Sequence, residues 1–560
     1  MPPRAALRRD LLLAGLLALG LGATWAWRDW ANLSALRLPD TDDAWRLQQV
    51  RDWLAGQPFA DTDQHRLAGR APSHWTRLAD LGPAALILLL KPLLGAHGAE
   101  VAAVSAWPAL LFAAALLLVA RVARALDDGL AGTACAVAAL AYPATTLFLP
   151  GRIDHHGLQM ALLLGAVLIL LRPASFGAGL GAGLLAAASL AIGLETAPLL
   201  GVIGAAAVTE WVLARGGAAA RLGGLGIGAL GGLIATRAAF ATTAWGYPAC
   251  DGFTGQAWRA GAALALAPLA LALLDTRVTG RRDRSVVTAI VTGGFAAVAL
   301  LLSPACLYPY AVDPLLARVW LSQVGEAQPL FAAAPATAIG YAGLPLAGLT
   351  ATAWRFRATR AGGWATLLAL QLAALAVTTV QLRGAYAGAL LAAPGLAAAI
   401  SWARARGGVT VAGAWLASAG MLYPIAAQAF TTPRPLPIRG RGDCASPALI
   451  AALDRLPPGL VIAPIDAGAH IVAGTRQRVL AAPYHRNAAG NLAAYRFYLG
   501  DERAAAAVAQ GWRAAYWLSC AAMPGPARAA GLPGWRAAIT GGDGARIWAR
   551  DRLSRAAAGR

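Results

Sequence analysis

Leu81-Gly-Pro-Ala-Ala-Leu-Ile-Leu-Leu-Leu-Lys91-Pro-Leu-Leu-Gly-Ala-His97 is a short apolar run, and a longer one at 101–120 follows it and ends at Arg121-Val-Ala-Arg124. How these two runs sit decides the topology of the chain. If both crossed a membrane, Arg121 and Arg124 would face outward and every later Arg cluster would be inverted. Lys91 interrupts the first run, which is also shorter than the ~20 residues needed to cross a bilayer core. The run at 81–97 is therefore read as a re-entrant or interfacial element of an outer loop covering 28–100.

With that choice, spans are expected at 11–27, 101–120, 130–149, 158–172, 177–194, 197–214, 222–240, 257–275, 287–303, 334–352, 364–380, 384–402 and 409–430, about thirteen in all. Arg121 and Arg124, Arg172, Arg215 and Arg221, Arg277, Arg281, Arg282 and Arg284, Arg355, Arg357 and Arg360, and Arg404 and Arg406 then all fall on the cytoplasmic side, as the positive-inside rule requires. Arg4, Arg8 and Arg9 before the apolar run from Leu11 resemble a signal peptide. No small-residue cleavage site follows, and Trp25, Trp27 and Trp30 suit an interfacial anchor, so the run is expected to stay as the first span.

Composition agrees with this. Of 560 residues, 58% are hydrophobic and 13% charged, about half the charged share of a soluble domain. The mean hydropathy is +0.56. Ala and Gly are abundant, which suits close helix packing in lipid. The net charge of +20 comes from loop arginines and excludes nucleic acid as the natural partner. The tail, 431–560, is more polar. Leu460-Val-Ile-Ala-Pro and Arg478-Val-Leu read as short strands between Ala-rich helices, which predicts a small exported α/β domain. Cys444 and Cys520 lie in that tail, and Cys250 and Cys306 lie in or beside outer loops, where an oxidising compartment permits disulfides. The pairs Cys444–Cys520 and Cys250–Cys306 are expected.

Three polar clusters share the outer side: Asp40-Thr-Asp42-Asp43-Ala-Trp45-Arg46 after the first span, Gly151-Arg152-Ile-Asp154-His155-His156 at the outer end of another, and Gln323-Val-Gly-Glu326-Ala-Gln328-Pro329 in an outer loop at 304–333. Carboxylates at a membrane boundary are costly unless paired, protonated or bound to a cation. Carboxylate and imidazole groups arriving from separate loops suit a divalent ion, Mn²⁺ or Mg²⁺. Taken singly, Asp42 and Asp43 also serve as the cap of the helix that follows, Asp154-His155-His156 as a solvated loop, and Glu326 as an exposed carboxylate.

Asp43-Ala-Trp-Arg-Leu followed by Ala71-Pro-Ser-His74-Trp75 resembles the first outer loop of oligosaccharyltransferase catalytic subunits, especially the single-subunit bacterial and archaeal type. Gly151-Arg-Ile-Asp154-His155-His156 resembles that family's second metal-binding motif in its Asp-x-His version. Val324-Gly-Glu326-Ala-Gln-Pro resembles the short motif ending in Glu on its fifth outer loop. The resemblance covers nearly the whole chain. It implies a polytopic helical membrane protein of GT-C type, with a catalytic transmembrane domain at 1–430 and a periplasmic α/β domain at 431–560.

By the resemblance, Asp43, Asp154 and His156 hold the metal, and Glu326 completes its shell or positions the acceptor. Arg383, Arg152 and His155 meet the donor phosphate. The implied enzyme is a glycosyltransferase of the bacterial inner membrane. Its donor is a polyprenyl-phosphate-type lipid-linked sugar, and it acts on a protein or glycan acceptor at the periplasmic face. The family's exported domain reads Ser/Thr with Trp-Trp-Asp. The matching place here is Pro464-Ile465-Asp466-Ala-Gly, followed by Tyr484-His485-Arg486-Asn487. Asp466 is kept and both Trp residues are replaced, so Asp466, His485 and Arg486 are the acceptor candidates, and a glycan or lipid stands beside protein Asn as acceptor. A transporter of lipid-linked sugars is the reading from another class. It would place ionisable residues near the membrane midplane, whereas these lie at the outer boundary.

Overall fold

The computed structural model describes residues 3–69, 72–308, 312–429, 444–520, 523, 532–541 and 544–551. Among them Arg4–Arg28, Leu81–Leu126, Ala218–Phe240, Gly255–Leu273, Arg281–Leu302, Gly362–Val380 and Gly384–Arg404 are long and apolar enough to cross a membrane. Gly408–Ser418 and Leu422–Ala429, bent 89° apart, form an eighth if taken as one span. His156–Leu170, Phe176–Ile192 and Ala197–Val212 are apolar but shorter. This is a multi-pass membrane chain, with fewer full-length crossings among the described helices than the thirteen expected. The segment 130–149 departs furthest from a continuous span. It runs as the helix Ala131–Ala139 and a 3₁₀ turn Ala144–Phe148, broken where Pro143 has no N–H to continue the ladder.

The element at 81–97 is one arm of a helical hairpin. Leu81–Leu126 folds at Gly95, whose φ of 70° and ψ of 176° suit a residue without a Cβ. Beyond the bend, Gly82 lies so close to Trp107 that a Cβ would overlap the indole. Ala84 and Ile87 share a buried cluster with Ala99, Ala103 and Val104.

Glycine also sets the closest helix pair. Gly179 and Gly183 on Phe176–Ile192 face Gly224 and Gly228 on Ala218–Phe240, and a Cβ at any of the four would collide with the opposing backbone. Both pairs are spaced i,i+4, the small-xxx-small pattern of membrane helix contacts. The Arg clusters collect at the end of the bundle remote from His156. Arg221 donates to the carbonyl of Leu170, at the far end of His156–Leu170. Arg124 pairs with Asp10 at 2.6 Å and Arg355 with Asp127 at 2.9 Å.

The tail forms a mixed sheet of β1 (Leu460–Ile462), β2 (Arg478–Val479), β3 (Tyr516–Ser519), β4 (Trp535–Thr540) and β5 (Arg546–Arg550), in the order β2-β1-β3-β5-β4. β1 runs parallel to β2 and β3, and β5 antiparallel to β3 and β4. Sequence patterning finds β1 and β2 but not the other three. The outer loop joins the edge of this sheet through a parallel bridge between Leu67 and Val479. Trp45, Leu67 and Trp75 share a core with Val461, Tyr484 and Leu518. Cys250 is joined to Cys306 and Cys444 to Cys520. The expected domain boundary at 430/431 and Ala71 lie outside the described residues.

Candidate active site

The first outer loop enters the site on helix Thr41–Leu54. The Asp40 side chain caps it by accepting from the N–H of Asp42 at 3.2 Å. This places Asp43 and Arg46 one turn apart on the same face, both fully buried. Asp43 Oδ1 accepts the backbone N–H of Asp154 at 2.8 Å, which ties the first loop to the second. Asp43 Oδ2 makes no hydrogen bond and lies 3.2 Å from Arg152 Nη1, which is also 2.7 Å from Asp40 Oδ2. Burial, opposed by Arg152 and reinforced by Asp40, pushes the Asp43 carboxyl up to about 7.

Asp154, His155 and His156 start the apolar helix His156–Leu170. Each is at least nine-tenths buried, and one ligand atom from each lies within 4.8 Å of the others, so the three can hold a metal ion. His156 Nε2 is 3.4 Å from Asp154 Oδ2 and 3.5 Å from Glu326 Oε1, the latter contact bringing in the third loop. His155 Nδ1 lies 2.5 Å from Asp154 Oδ1, and its Nε2 lies 3.3 Å from Glu195 Oε1.

Glu326 sits on a single 3₁₀ turn, Gly325–Ala327, stapled to the segment ahead of helix Gly384–Arg404. Its carbonyl accepts from the Arg383 N–H at 3.1 Å, and that of Gln328 accepts from Leu382 at 2.9 Å. The Glu326 carboxylate meets Arg383 Nη2 at 3.3 Å and accepts from the Tyr386 hydroxyl at 3.2 Å. Burial works against its charge, but Arg383 and His156 hold the carboxyl at about 2. His156, Met160, Glu195, Arg383 and Tyr386 line a small cleft between the helices.

The three loops therefore converge. Within the expected set, the tight ligand group is Asp154, His155 and His156; Asp43 flanks it through the Asp154 backbone and Glu326 through His156. Arg152, expected at the donor phosphate, is engaged by Asp40 and Asp43. Arg383 borders the cleft.

Sequence reasoning missed Glu195, Arg46 and Asp80. Glu195 receives Gln159 Nε2 at 3.0 Å and stands 3.9 Å from Arg383 Nη1. Its signal was available: it is a lone carboxylate between two apolar runs, in the outer turn of the expected topology. Arg46 donates to Asp80 at 2.6 Å, approaches His155 Nδ1 at 3.3 Å, and lies over the Trp75 ring at 4.7 Å.

The C-terminal α/β domain reaches the same region. Tyr484 stacks on Trp45 and His74, with centroids 6.1 and 5.2 Å apart, and Trp75 lies 6.1 Å from His155. Arg486, one of the expected acceptor contacts, is held by the domain's own contacts to the neighbouring loops. Its guanidinium is almost wholly buried, clamps Asp251 at 2.5 and 2.8 Å, and donates to the carbonyl of Pro72 at 2.9 Å. His485 also meets Asp251, at 2.5 Å. Asp466 is exposed on the first turn of Ile465–Gly474, a helix packed against Thr41–Leu54.

No protein-family model and no curated sequence matches the chain. Solved structures do. The archaeal oligosaccharyltransferase AglB of Archaeoglobus fulgidus, in complex with an inhibitory peptide and a dolichol-phosphate, superposes with a TM-score of 0.66 at 16% identity, covering 92% of this chain and 69% of that one. The apo form of the Archaeoglobus fulgidus oligosaccharyltransferase gives 0.68 at 17% identity, with 92% and 69% covered. Its complex with Zn and sulfate gives 0.62 at 17%, with 91% and 67% covered. Over nine-tenths of its length, this chain shares the fold of these oligosaccharyltransferase structures.

Proposed function

We propose that the chain is a metal-dependent, oligosaccharyltransferase-like glycosyltransferase of the bacterial inner membrane, working at the periplasmic face. It takes a glycan from a polyprenyl-phosphate- or diphosphate-linked donor and delivers it to an acceptor on that side. The observation that carries this reading is the meeting of three loops around one buried carboxylate–imidazole group, Asp43 through the Asp154 N–H and Glu326 through His156. The neighbouring fold has been solved with a dolichol-phosphate and, separately, with Zn and sulfate.

The residues fit a cation. Asp154, His155 and His156 offer converging ligand atoms, and Asp43 keeps one buried oxygen without a hydrogen bond. Asp43, Asp154 and His156 are assigned as ligands, with Glu326 at the edge of the shell and Mn²⁺ or Mg²⁺ as the ion. When bound, the dication offsets charge that develops on the departing phosphate. Arg383 borders the cleft as a fixed, always charged donor for that phosphate, with His155 beside it. In the transfer, the bond between the sugar C1 and the phosphate oxygen breaks and its electron pair stays on that oxygen. The acceptor's nucleophilic atom forms the new bond to C1. Asp43 and Glu326 orient that atom and take up its proton. A passive carrier needs no such carboxylates at the boundary.

A second acceptor class is favoured by one observation. Where a Trp pair would pack on a Thr methyl, this chain has Pro464-Ile465. A lipid-linked glycan, polysaccharide or lipid then replaces protein Asn as acceptor. The test is transfer in reconstituted vesicles from labelled polyprenyl-diphosphate-linked glycan. Sequon peptide, the same peptide with Gln for Asn, and a lipid-linked glycan are offered in parallel, with EDTA and then Mn²⁺ or Mg²⁺ added back. Asp154→Asn and His156→Gln should abolish turnover in folded protein. Undiminished turnover in both variants would overturn the metal assignment. Asn-dependent peptide transfer would reject the second acceptor class.

A further inference from the structure

At the end of the bundle remote from Asp154, His155 and His156, Arg9, Leu13, Thr133, Ala136, Arg404 and Trp415 border an open cavity of about 350 Å³. It lies between the N-terminal helix, Ala131–Ala139 and the helices on either side of Gly407. Two cations enter it, and the carboxylates nearby are already engaged. Asp10 is buried between Arg121 at 3.4 Å and Arg124 at 2.6 Å, Asp128 is bound to Arg124, and Asp127 to Arg355. Among the described residues no carboxylate pairs with Arg9 or Arg404. The Arg404 guanidinium is instead steered toward the cavity by donating to the Thr133 hydroxyl at 3.2 Å.

The walls are apolar, from Leu13, Ala136 and the Trp415 indole. Just outside, Leu12 is 58% exposed, Leu16 67% and Leu416 62%. In a membrane-spanning bundle such leucines face lipid. The cavity thus opens beside the hydrocarbon boundary with its positive charge at the level of the headgroups. A free anion would gain nothing from the apolar walls, whereas a phosphate attached to acyl chains uses both features. Basic pockets between helices on the cytoplasmic side are where anionic headgroups bind, and Trp favours the same depth.

We propose that this cavity binds the phosphodiester headgroup of an anionic phospholipid. Arg9 and Arg404 neutralise the phosphate, the Thr133 hydroxyl holds Arg404 in place, and Leu13, Ala136 and Trp415 receive the start of the acyl chains. The assignment rests on the membrane reading of the bundle and not on the reaction at its other end.

The test uses the full chain purified in detergent, stripped of lipid and titrated with phosphatidylglycerol or phosphatidylcholine, with binding read by native mass spectrometry. Wild type should bind phosphatidylglycerol saturably and in preference to phosphatidylcholine. R9Q/R404Q should bind it about tenfold or more weakly, and the control R281Q/R282Q should match wild type. Equal binding of the two lipids by wild type overturns the proposal whether or not the variants fold. An equal loss in R281Q/R282Q also overturns it, because any basic surface would then suffice. If inorganic phosphate at a matching concentration displaces the lipid, the site belongs to a free anion and the lipid assignment falls.

Discussion

Asp251→Ala should loosen the hold of the C-terminal domain on the helical bundle. The Asp251 carboxylate is 5% exposed and holds Arg486 through two hydrogen bonds, at 2.5 and 2.8 Å, together with His485 at 2.5 Å. The Arg486 side chain is 1% exposed. Removing the carboxylate leaves a desolvated guanidinium without a counter-charge, which costs about 3–5 kcal/mol. That corresponds to a fall in melting temperature on the order of 10 °C, read by tryptophan fluorescence on protein in detergent. Arg486→Met should also destabilise, but by less, because His485 still meets Asp251 at 2.5 Å. The double variant removes both charges and should be less destabilised than the sum of the singles by at least about 1 kcal/mol. Burial pushes the Asp251 carboxyl up, but its hydrogen bonds to Arg486 and His485 outweigh this and hold it well below the usual carboxylate range. For a lowered pKa, the stabilisation is present above the unfolded value near 3.9 and is lost as pH falls through the folded one. Melting should therefore show no loosening attributable to Asp251 between pH 8 and pH 5. A single variant melting within about 1 kcal/mol of wild type, or a double variant no better than additive, refutes the clamp.

Arg46→Lys should weaken metal binding about 10–100-fold, measured by calorimetry. One ammonium cannot reproduce the contacts to Asp80 and His155 and the stacking on Trp75; unchanged affinity would show that the planar fork is dispensable. Gly183→Leu should cost more than about 3 kcal/mol, seen as loss of monodisperse protein on size exclusion, since even a Cβ there meets the backbone of Ala218–Phe240. Cys250→Ser opens a bridge of sequence separation 56 and should lower stability by up to about 4 kcal/mol on loop entropy, read as a lower melting temperature than wild type without reductant, with Cys444–Cys520 closed in both proteins.

The parts of the fold that follow from one-dimensional patterning were readable. Apolar runs, loop arginines and the short run holding Lys91 predict most of the helices and set 81–97 apart from a full span, because each depends on a local composition the membrane itself selects; the bend at Gly95 was not predicted. The strands Tyr516–Ser519, Trp535–Thr540 and Arg546–Arg550 were not read. In Trp535–Thr540 the residues Arg536 to Ala538 are all exposed, so no alternation marks it as an edge strand, and only its antiparallel partner makes it one. The break at Pro143 was equally hidden, since the flanking residues are as apolar as a span.

The site divides along the same physical line. Asp43, Asp154, His156 and Glu326 announce themselves because each sits in a polar cluster beside an apolar run, where a charge is expensive. Arg46 and Asp80 do not, because their cost is relieved by one another across 34 residues, at 2.6 Å, and neither looks anomalous until the loops close. Glu195 lies between these cases. Its partners come from two other segments, His155 and Gln159 at the start of His156–Leu170 and Arg383 ahead of Gly384–Arg404, yet an unaccompanied carboxylate between two apolar helices needs partners of that kind. Topology had already put it on the outer side with Asp154. An acid stranded between apolar helices on the same face as a metal-ligand pair should therefore be placed in the site before any coordinates are known. Glu195→Gln, which keeps the shape and removes the charge, tests that rule: it should alter transfer while leaving the melting temperature nearly unchanged, and a variant indistinguishable from wild type in turnover would restrict the rule to packing.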